Sequence, residues 1–330
     1  MSVPDPVWTG LHELAAAGLV HYPVGRGAVL TPLAVSENAT FRVDDPATGA
    51  RAVLRLHRPG YHTRAGIDSE LAWVRALRDD AVVATAAVLP TSDGQLVACA
   101  EAGDGRTRHV VMFEFLDGHH PPEEGLTAGA FQFLGALAAR MHRHARGWPR
   151  PPGFTRLSWT WETMVGEGGH WGRWRDGPGV GAAEQAVLGA ASDLARRRLA
   201  DFGAGPDRVG LVHADMRLAN LLVAGDRVQV IDFDDCGFGW YLWDLAASLS
   251  FIEHRPEVPA LIDAWLYGYR TETPLSAREE REIPTFVLLR RLLLVAWMGS
   301  HGHASEAREL GLQFTEGSCE LAEAYLSRFS

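Results

Sequence analysis

The residues whose types and spacing could carry out chemistry lie in one short segment, residues 211–235. Asp215 is followed five residues later by Asn220, and Asp232 comes twelve residues after that. Phosphoryl transfer needs a carboxylate that orients and deprotonates the attacking hydroxyl, and oxygen ligands for magnesium on a triphosphate. The spacing therefore predicts Asp215 as catalytic base and Asn220 and Asp232 as Mg²⁺ ligands. An isolated Asp-x-x-x-x-Asn would fit a solvated turn equally well. The flanking residues therefore decide between a catalytic loop and a solvated turn.

Those flanking residues form a longer pattern. His213 precedes the first aspartate, so the segment contains HADMRLAN and, further on, VIDF. This resembles the aminoglycoside phosphotransferase and choline kinase-like family, relatives of protein kinases, which carries H-G-D-x-x-x-x-N and then I-D-[FW]. The resemblance extends from about Leu33 to the C-terminus, with Ala214 where glycine is usual. It implies an α+β, protein-kinase-like two-lobe fold, with a small antiparallel-sheet lobe and a larger helical lobe, and ATP and Mg²⁺ as cofactors.

The resemblance also assigns two neighbouring side chains. Asp244, in YLWDLA, would hold the catalytic loop from the helix that follows it. Position 217 is often histidine in the antibiotic kinases and lysine in protein kinases. Here Arg217 could place a positive charge on the transferring phosphate, which makes it a second candidate catalytic residue. A plain salt bridge is its alternative role.

The strand-rich half should hold the nucleotide. Protein kinases use a strand lysine that pairs with a helical glutamate. In AVLR, the alternation of a strand puts Val53 and Arg55 on one face. We expect Val53 to lie on the adenine, Arg55 to reach the phosphates, and Glu70 of the next helix to pair with Arg55. Arginine keeps the positive charge and can bind phosphate in a bidentate fashion.

Three more residues are candidates for nucleotide contacts. The loop AVSENAT contains no glycine and resembles the glycine-free loops of small-molecule kinases, so Ser36 and Asn38 are candidate phosphate contacts. A surface hairpin explains residues 36–40 almost as well. Glu114, at the start of the predicted hinge 114–118, completes the predicted nucleotide-binding set.

The acceptor site has the weakest sequence signal. Four tryptophans cluster with acidic and glycine residues upstream of the catalytic loop, at Trp159, Trp161, Trp171 and Trp174. In the family, the corresponding insertion helps to form the acceptor site. Aromatic faces beside carboxylates such as Glu162 suit a cationic or sugar-like substrate. The alternative is that these rings pack the insertion into the second lobe.

Composition excludes several classes of protein. All 31 basic residues are arginine, so a Walker-type phosphate loop, Schiff-base chemistry and Ser-x-x-Lys acylases are ruled out. Zinc-hydrolase, serine-hydrolase and Rossmann motifs do not occur, and the paired histidines lack metal-ligand spacing. A net charge of -10 disfavours nucleic acid and mildly favours a cationic substrate.

The elements that would position these residues divide into two halves. Residues 1–115 are predicted as a nucleotide-binding lobe containing a hairpin from Thr40 through DDPATG, a helix at residues 68–77 and further strands to HVVMFEFL. Residues 116–330 are predicted as a helical lobe carrying the catalytic loop and the acceptor site. Its helices are predicted at about 130–141, 161–174, 184–202, 241–252, 257–270, 279–301 and 304–327, with short strands GLVH, NLLVA and VQVID.

The sequence predicts neither a membrane-spanning helix nor a signal peptide. The apolar run 283–298 is interrupted by Arg290 and Arg291 and falls short of the roughly 20 apolar residues that span a bilayer, so it predicts a buried helix. Residues 1–20 lack the basic start of a signal peptide. The three cysteines lack paired spacing, as expected for reduced thiols. We expect a cytoplasmic protein with no membrane partner.

Three functions are compatible with these motifs. The first is a kinase that phosphorylates a hydroxyl of a small molecule: an aminoglycoside or other antibiotic, an amino alcohol or a metabolite. The second is a Ser/Thr protein kinase resembling the bacterial stress-response kinase, although no long activation segment separates Asp232 from Asp244. The third is a nucleotide-binding pseudokinase, which the intact Asp215, Asn220 and Asp232 disfavour.

Overall fold

The computed structural model describes residues 6–35, 38–121, 126–302 and 305–329. In chain order the elements are α1 (Pro6–Leu19), β1 (Val29–Val35), β2 (Ala39–Asp45), β3 (Ala50–Leu56), α2 (Arg64–Asp79), β4 (Val88–Leu89), β5 (Val97–Glu101), β6 (Thr107–Glu114), α3 (Ala128–Gly147), β7 (Leu157–Trp159), α4 (Trp161–Val165), α5 (Ala182–Phe202), β8 (Val209–Val212), β9 (Leu221–Ala224), β10 (Arg227–Val230), β11 (Gly237–Trp240), α6 (Leu242–Ser248), α7 (Val258–Arg270), α8 (Ala277–Ser300) and α9 (Ser305–Phe329). The class is α+β, as predicted.

The chain forms two compact units. The first comprises residues 1–119, 149–156 and 222–234, and the second comprises residues 120–148, 157–221 and 235–330. Asp232 therefore belongs to the first unit, whereas Asp215 and Asn220 belong to the second. The predicted division into lobes at residues 115 and 116 stays a prediction.

The first unit is built on an antiparallel sheet in the order β1-β2-β3-β6-β4, with β5 paired to β6. In β2, buried and half-buried side chains alternate, so that Phe41 and Val43 enter the core. Leu54 of β3 lies opposite Phe41 in the same register. The other face of the sheet packs on α2, whose first turn is capped by the Thr63 hydroxyl, which accepts a hydrogen bond from the Gly66 amide. The predicted hairpin is confirmed.

The second unit is mostly helical and contains the three-stranded sheet β7-β11-β8. Helices α3 and α7 cross where Gly135 and Gly268 face one another's backbones. A Cβ atom at Gly135 would overlap the Trp265 carbonyl oxygen, and one at Gly268 would overlap that of Gln132. Only glycine permits so close a helix crossing.

Helix α8 runs through the core of the second unit. It is long and apolar enough to cross a membrane by length and composition alone, but 83% of the relevant window is buried inside the protein. Its start is fixed by a capping box between Ser276 and Glu279. Arg290 and Arg291 lie side by side in the buried part of this helix. The predicted buried helix is confirmed.

Some predicted elements differ from the structure. The predicted helix over residues 161–174 is wrong: α4 ends at Val165, and only a short 3₁₀ turn follows at Trp174–Asp176. Glycines at 166, 168, 169 and 172 interrupt the helical pattern there, because glycine is a poor helix former. The short strands β7 and β11 and the helix α1 were not predicted.

Candidate active site

The loop that carries Asp215 joins β8 to β9 and is held in place by hydrogen bonds to Asp244 of α6. The Asp244 carboxylate accepts hydrogen bonds from the backbone amides of His213, at 3.1 Å, and Ala214, at 2.7 Å. Its Oδ2 atom also lies 2.8 Å from Nε2 of His142. Asp244 is fully buried. The predicted structural role of Asp244 is therefore confirmed.

The backbone at Ala214 has a conformation that favours glycine, the residue that the resemblance leads one to expect at this position. Its φ angle is 68°, in the left-handed region, where a Cβ atom is unfavourable by roughly 1–2 kcal/mol. The amide of Ala214 donates to Asp244, and its carbonyl accepts a hydrogen bond from Arg290, 3.2 Å away. These contacts hold the residue in the strained conformation. Strain of this kind is commonly found at functional sites.

Asp215 is held by three side chains. Its Oδ1 lies 2.6 Å from an Nη2 of Arg290, and its Oδ2 accepts from the Asn220 amide at 2.7 Å and from Nε of Arg217 at 3.2 Å. Burial opposes ionisation, but Arg217 and Arg290 outweigh it and lower the pKa of Asp215 to about 2. The carboxylate is therefore ionised and suited to accept a hydrogen bond from a hydroxyl group.

Asn220 closes the loop with its side chain. Its amide nitrogen donates to the backbone carbonyl of Asp215 at 2.8 Å as well as to the carboxylate. With its nitrogen committed to Asp215, Asn220 presents the carbonyl oxygen as its remaining polar atom. Neutral and charged oxygens are the donors that Mg²⁺ takes, so the residue fits its predicted role as a metal ligand. That role stays a prediction.

Arg55 and Glu70 form the predicted ion pair in the first unit. An Nη2 of Arg55 lies 2.7 Å from Oε1 of Glu70, and both side chains are nearly fully buried. Burial disfavours the charged guanidinium, but Glu70, Asp234 and Asp232 together raise the pKa of Arg55. The ring of Phe113 packs against it, with its centroid 5.1 Å from Cζ. Phosphate binding by Arg55 stays a prediction.

Asp232 is exposed and has a φ angle of 62°. The next residue, Phe233, is buried and packs edge-on against Trp73 of α2, at 5.8 Å between ring centroids. This contact fixes the backbone beside Asp232. The negative charge of Asp232 contributes to the raised pKa of Arg55, so the metal-ligand candidate and the phosphate-binding candidate interact electrostatically within the first unit.

Asp234, which the sequence reading did not single out, is buried among basic groups. Its Oδ1 lies 3.9 Å from Arg55, 3.5 Å from His57 and 3.4 Å from His62. Burial opposes its ionisation, but His62, Arg55 and His57 hold its pKa well below the usual range. The duplicated aspartate in IDFDD was a signal that could have drawn attention to it. Asp234 anchors the segment that carries Asp232.

The remaining predicted nucleotide contacts occupy different places in the first unit. Val53 is half-buried on the same face of β3 as Arg55, as its register requires. The Asn38 side chain accepts a hydrogen bond from the Arg58 amide, whereas Ser36 lies outside the described residues. Glu114 pairs with Arg78 at 3.2 Å. Nucleotide contacts by these residues stay predictions.

The tryptophans of the insertion lie in the core of the second unit or against α5. Trp159, Trp171 and Trp174 are buried. The half-buried Trp161 donates from its indole N–H to the Ser192 carbonyl at 3.1 Å, and Arg196 covers its ring at 4.7 Å. The exposed Glu162 lies 3.8 Å from the same arginine. These contacts favour packing for Trp161 and Glu162, and their predicted acceptor role stays a prediction.

A different aromatic group lies beside the catalytic loop. The guanidinium of Arg217 is 6.0 Å from the ring centroid of Phe251, whose φ angle is 70°. Trp297 and Phe314 pack against that ring at 6.0 and 5.8 Å between centroids. We refer to Phe251, Trp297 and Phe314 as the Phe251 cluster. Its members come from α8, α9 and the turn after α6, so spacing in the sequence does not reveal it.

The sheet, the catalytic loop and the buried arginine–glutamate pair together define a phosphotransferase with a protein-kinase-like fold. The chain belongs to the phosphotransferase enzyme family, whose model matches residues 29–280. It is an enzyme that phosphorylates a hydroxyl group of a small molecule, so the predicted family, fold and class of activity are confirmed.

Three relatives illustrate this similarity. The structure of a microcompartment-associated aminopropanol kinase is 48% identical, covers 97% of this chain and 98% of its own, and superposes with a TM-score of 0.88. An amicoumacin kinase in complex with AMP-PNP, Ca²⁺ and amicoumacin is 21% identical, covers 96% and 94% of the two chains, and has a TM-score of 0.75. An uncharacterized protein of Deinococcus radiodurans is 30% identical over 314 residues, 93% of this chain and 87% of that protein.

Proposed function

We propose that this enzyme transfers the γ-phosphoryl group of ATP, with Mg²⁺, to the hydroxyl group of a short amino alcohol of the aminopropanol type in the cytoplasm. The observation that carries the proposal is the 48% identity to an aminopropanol kinase over 97% of the chain. Antibiotic kinases of the same fold are far less similar: the amicoumacin kinase structure is 21% identical. The choice of an amino alcohol over an antibiotic rests on this difference.

The reaction requires one bond to form and one to break. The acceptor hydroxyl oxygen bonds to the γ-phosphorus, the bond from that phosphorus to the β,γ-bridging oxygen breaks, and ADP leaves. Asp215 orients the hydroxyl through a hydrogen bond and receives its proton as the new bond forms. Its two cationic neighbours keep it ionised before the acceptor binds.

Asn220 and Asp232 would hold Mg²⁺, since both offer oxygen donors that this cation prefers. When bound, the ion would neutralise charge on the triphosphate. Arg55, fixed by Glu70, would bind the phosphate oxygens with its planar guanidinium. The amicoumacin kinase structure contains AMP-PNP, which supports ATP as the donor nucleotide.

The ammonium group of the acceptor would be bound by the half-buried ring of Phe251, which the buried Trp297 and Phe314 support. Aromatic ring faces attract alkylammonium groups, typically by about 0.5–2 kcal/mol. Phe251 lies near Arg217, two residues from the proposed base, so the cluster borders the catalytic loop. Arg217 and Arg290 flank Asp215 with positive charge, which disfavours an ammonium group immediately next to the reacting hydroxyl. The short carbon chain of an aminopropanol would separate the two groups.

The test is a transfer assay with the purified enzyme, γ-labelled ATP and MgCl₂. The acceptors are 1-amino-2-propanol, ethanolamine, choline, homoserine, an aminoglycoside and a protein substrate, with 1,2-propanediol as the matched acceptor that lacks an amine. We expect label on 1-amino-2-propanol, with kcat/KM about 2- to 30-fold above 1,2-propanediol because the ammonium contact is worth about 0.5–2 kcal/mol. The variant Asp215→Asn should lose transfer by about 10²- to 10⁴-fold.

Each part of the proposal has its own contrary result. Efficient transfer to an aminoglycoside, with none to amino alcohols, would show that the acceptor is wrong and the activity right. Equal use of 1-amino-2-propanol and 1,2-propanediol would refute ammonium recognition. Nucleotide binding without transfer to any acceptor would support the pseudokinase alternative.

A further inference from the structure

We propose that Arg290 of α8 is a positioning residue of the phosphotransfer reaction: it fixes the orientation of the Asp215 carboxylate and of the backbone that carries it. The proposal rests on the assignment of Asp215 as the residue that orients the acceptor hydroxyl. Arg290 is 75 residues away in sequence and lies in an apolar run, so no motif identifies it.

Each of three nitrogens of Arg290 has a separate task. Nη2 donates to Oδ1 of Asp215 at 2.6 Å, Nη1 donates to the carbonyl of Ala214 at 3.2 Å, and Nε donates to Oγ of Ser250 at 2.8 Å. Because these nitrogens lie in one plane, three partners in fixed positions determine the orientation of the whole guanidinium. A lysine at this position has a single nitrogen and could not make the same set of contacts.

The surroundings of Arg290 restrict its movement. The residue is 1% exposed, and its Cζ lies 5.1 Å from the ring centroid of Trp171 and 5.7 Å from that of Trp243. The Ser250 hydroxyl in turn donates to the Ala247 carbonyl at 2.6 Å, which directs an oxygen lone pair towards Arg290. The guanidinium is therefore held in place before any substrate binds.

Because Arg290 is present, the two carboxylate oxygens of Asp215 are held by different side chains. Arg290 binds Oδ1, while Asn220 and Arg217 bind Oδ2. A carboxylate held at only one oxygen can rotate about its Cβ–Cγ bond. With both oxygens held, the lone pairs that remain for the acceptor hydroxyl point in a fixed direction. Arg290 also fixes the carbonyl before Asp215, so side chain and backbone are held by the same group.

A general contribution to stability is the competing explanation, and the next residue provides a matched control. Arg291 is equally buried, and its nitrogens bind Glu253 at 2.9 Å, Ser318 at 2.7 Å and the Phe314 carbonyl at 2.9 Å. None of these partners is Asp215. Loss of Arg291 should therefore disturb the core to a similar degree without disturbing the carboxylate.

The experiment compares Arg290→Gln and Arg290→Lys with Arg291→Gln and Arg291→Lys, using the best acceptor of the wild-type enzyme. We expect Arg290→Gln to lower kcat by at least about 100-fold, because a misplacement of about 1 Å in a catalytic group can cost that much. Arg290→Lys should recover part of this loss. The KM for ATP and the affinity for AMP-PNP should remain within about two-fold of wild type. Both Arg291 variants should keep kcat, measured at a saturating acceptor, within about five-fold at temperatures where they are folded. Their acceptor KM is not part of the comparison, because Arg291 also binds Phe314 of the Phe251 cluster.

Two further measurements keep the proposal testable. Ser250→Ala removes only the Nε partner and should lower kcat by a smaller factor, about 3- to 10-fold, in a protein that folds normally. Crystal structures of wild type and Arg290→Lys should show the Asp215 carboxylate rotated in the variant, a result that does not depend on which acceptor is used. Unchanged carboxylate orientation, or equal loss of kcat in Arg290→Gln and Arg291→Gln, would overturn the proposal. Failure of the wild-type enzyme to use any amino alcohol would instead count against the proposed function.

Discussion

Replacement of Asp244 by Asn is the sharpest test of how the catalytic loop is held. The wild-type carboxylate accepts hydrogen bonds from the amides of His213 and Ala214 and from the ring of His142, in a fully buried site. A hydrogen bond to a charged group contributes roughly 1.5–3 kcal/mol. The Asn side chain keeps one acceptor oxygen, but its amide nitrogen would face a donor.

With its oxygen at the position of Oδ2, the asparagine would still accept from His213 and His142, but as a neutral group, and its nitrogen would oppose the amide of Ala214. One hydrogen bond is thus made repulsive and two are weakened, so we expect the free energy of unfolding to fall by about 3–5 kcal/mol. The amides involved immediately precede Asp215, so kcat should fall by about 10²-fold even where the variant is folded. The affinity for AMP-PNP should change much less, because Arg55, which we assign to the phosphate oxygens, lies in the first unit and does not depend on Asp244.

Urea-induced unfolding, followed by far-UV circular dichroism, measures the first effect, and steady-state kinetics with a saturating acceptor measures the second. Asp193→Asn, at an exposed position of α5, is the matched control and should change the free energy of unfolding by less than about 0.5 kcal/mol. If Asp244→Asn unfolds within 1 kcal/mol of wild type and keeps its kcat, the hydrogen bonds to the loop do not hold it, and the reasoning fails.

Substitutions at four other positions test separate parts of the structure. Arg55→Lys should raise the KM for ATP several-fold and leave the KM for the acceptor nearly unchanged. Arg55→Ala should in addition lower the free energy of unfolding by about 3–5 kcal/mol, because it leaves the buried Glu70 unpaired. Unaltered ATP kinetics in both variants would refute the phosphate contact. Asp232→Asn should weaken binding of Mg-AMP-PNP in calorimetry but not of metal-free AMP-PNP, and equal losses for both would argue against metal ligation. Trp161→Ala should lower the melting temperature and leave the acceptor KM unchanged, since the ring packs on α5; a raised acceptor KM at unchanged stability would restore the acceptor role. Gly135→Ala should prevent normal folding or lower the melting temperature sharply, and a wild-type melting curve would contradict the close helix crossing.

Local patterns predicted much of the fold. The hairpin of β2 and β3 followed from alternating apolar residues on either side of a turn. The pairing of Arg55 with Glu70 was implied by the protein-kinase pattern, in which a strand lysine pairs with a glutamate of the next helix. The role of Asp244 came from the resemblance, and the structure supplies its physical basis in the two loop amides. These contacts connect residues whose positions are set by regular elements or by a conspicuous motif.

Contacts between distant residues could not be predicted in the same way. Arg290 reaches Asp215 across 75 residues, and the three members of the Phe251 cluster come from separate elements. Nothing in the local sequence distinguishes a buried arginine that binds a carboxylate from one that ends a hydrophobic run. The error at residues 161–174 has a local cause, because the four glycines that follow Val165 end the helix there.

The crossing of α3 and α7 has a consequence for how this protein can vary. Its contact is made by backbone atoms, with Gly135 against the Trp265 carbonyl and Gly268 against that of Gln132. Most packing interfaces accommodate mutation gradually, since a lost methyl group on one side can be replaced by an added one on the other. Here there is no side chain to exchange, and the smallest possible addition already overlaps a peptide group. We therefore expect sequence drift to leave these two positions fixed while the side chains around them change freely, so that the pair would mark the descent of the helical unit even where the catalytic motif has been lost.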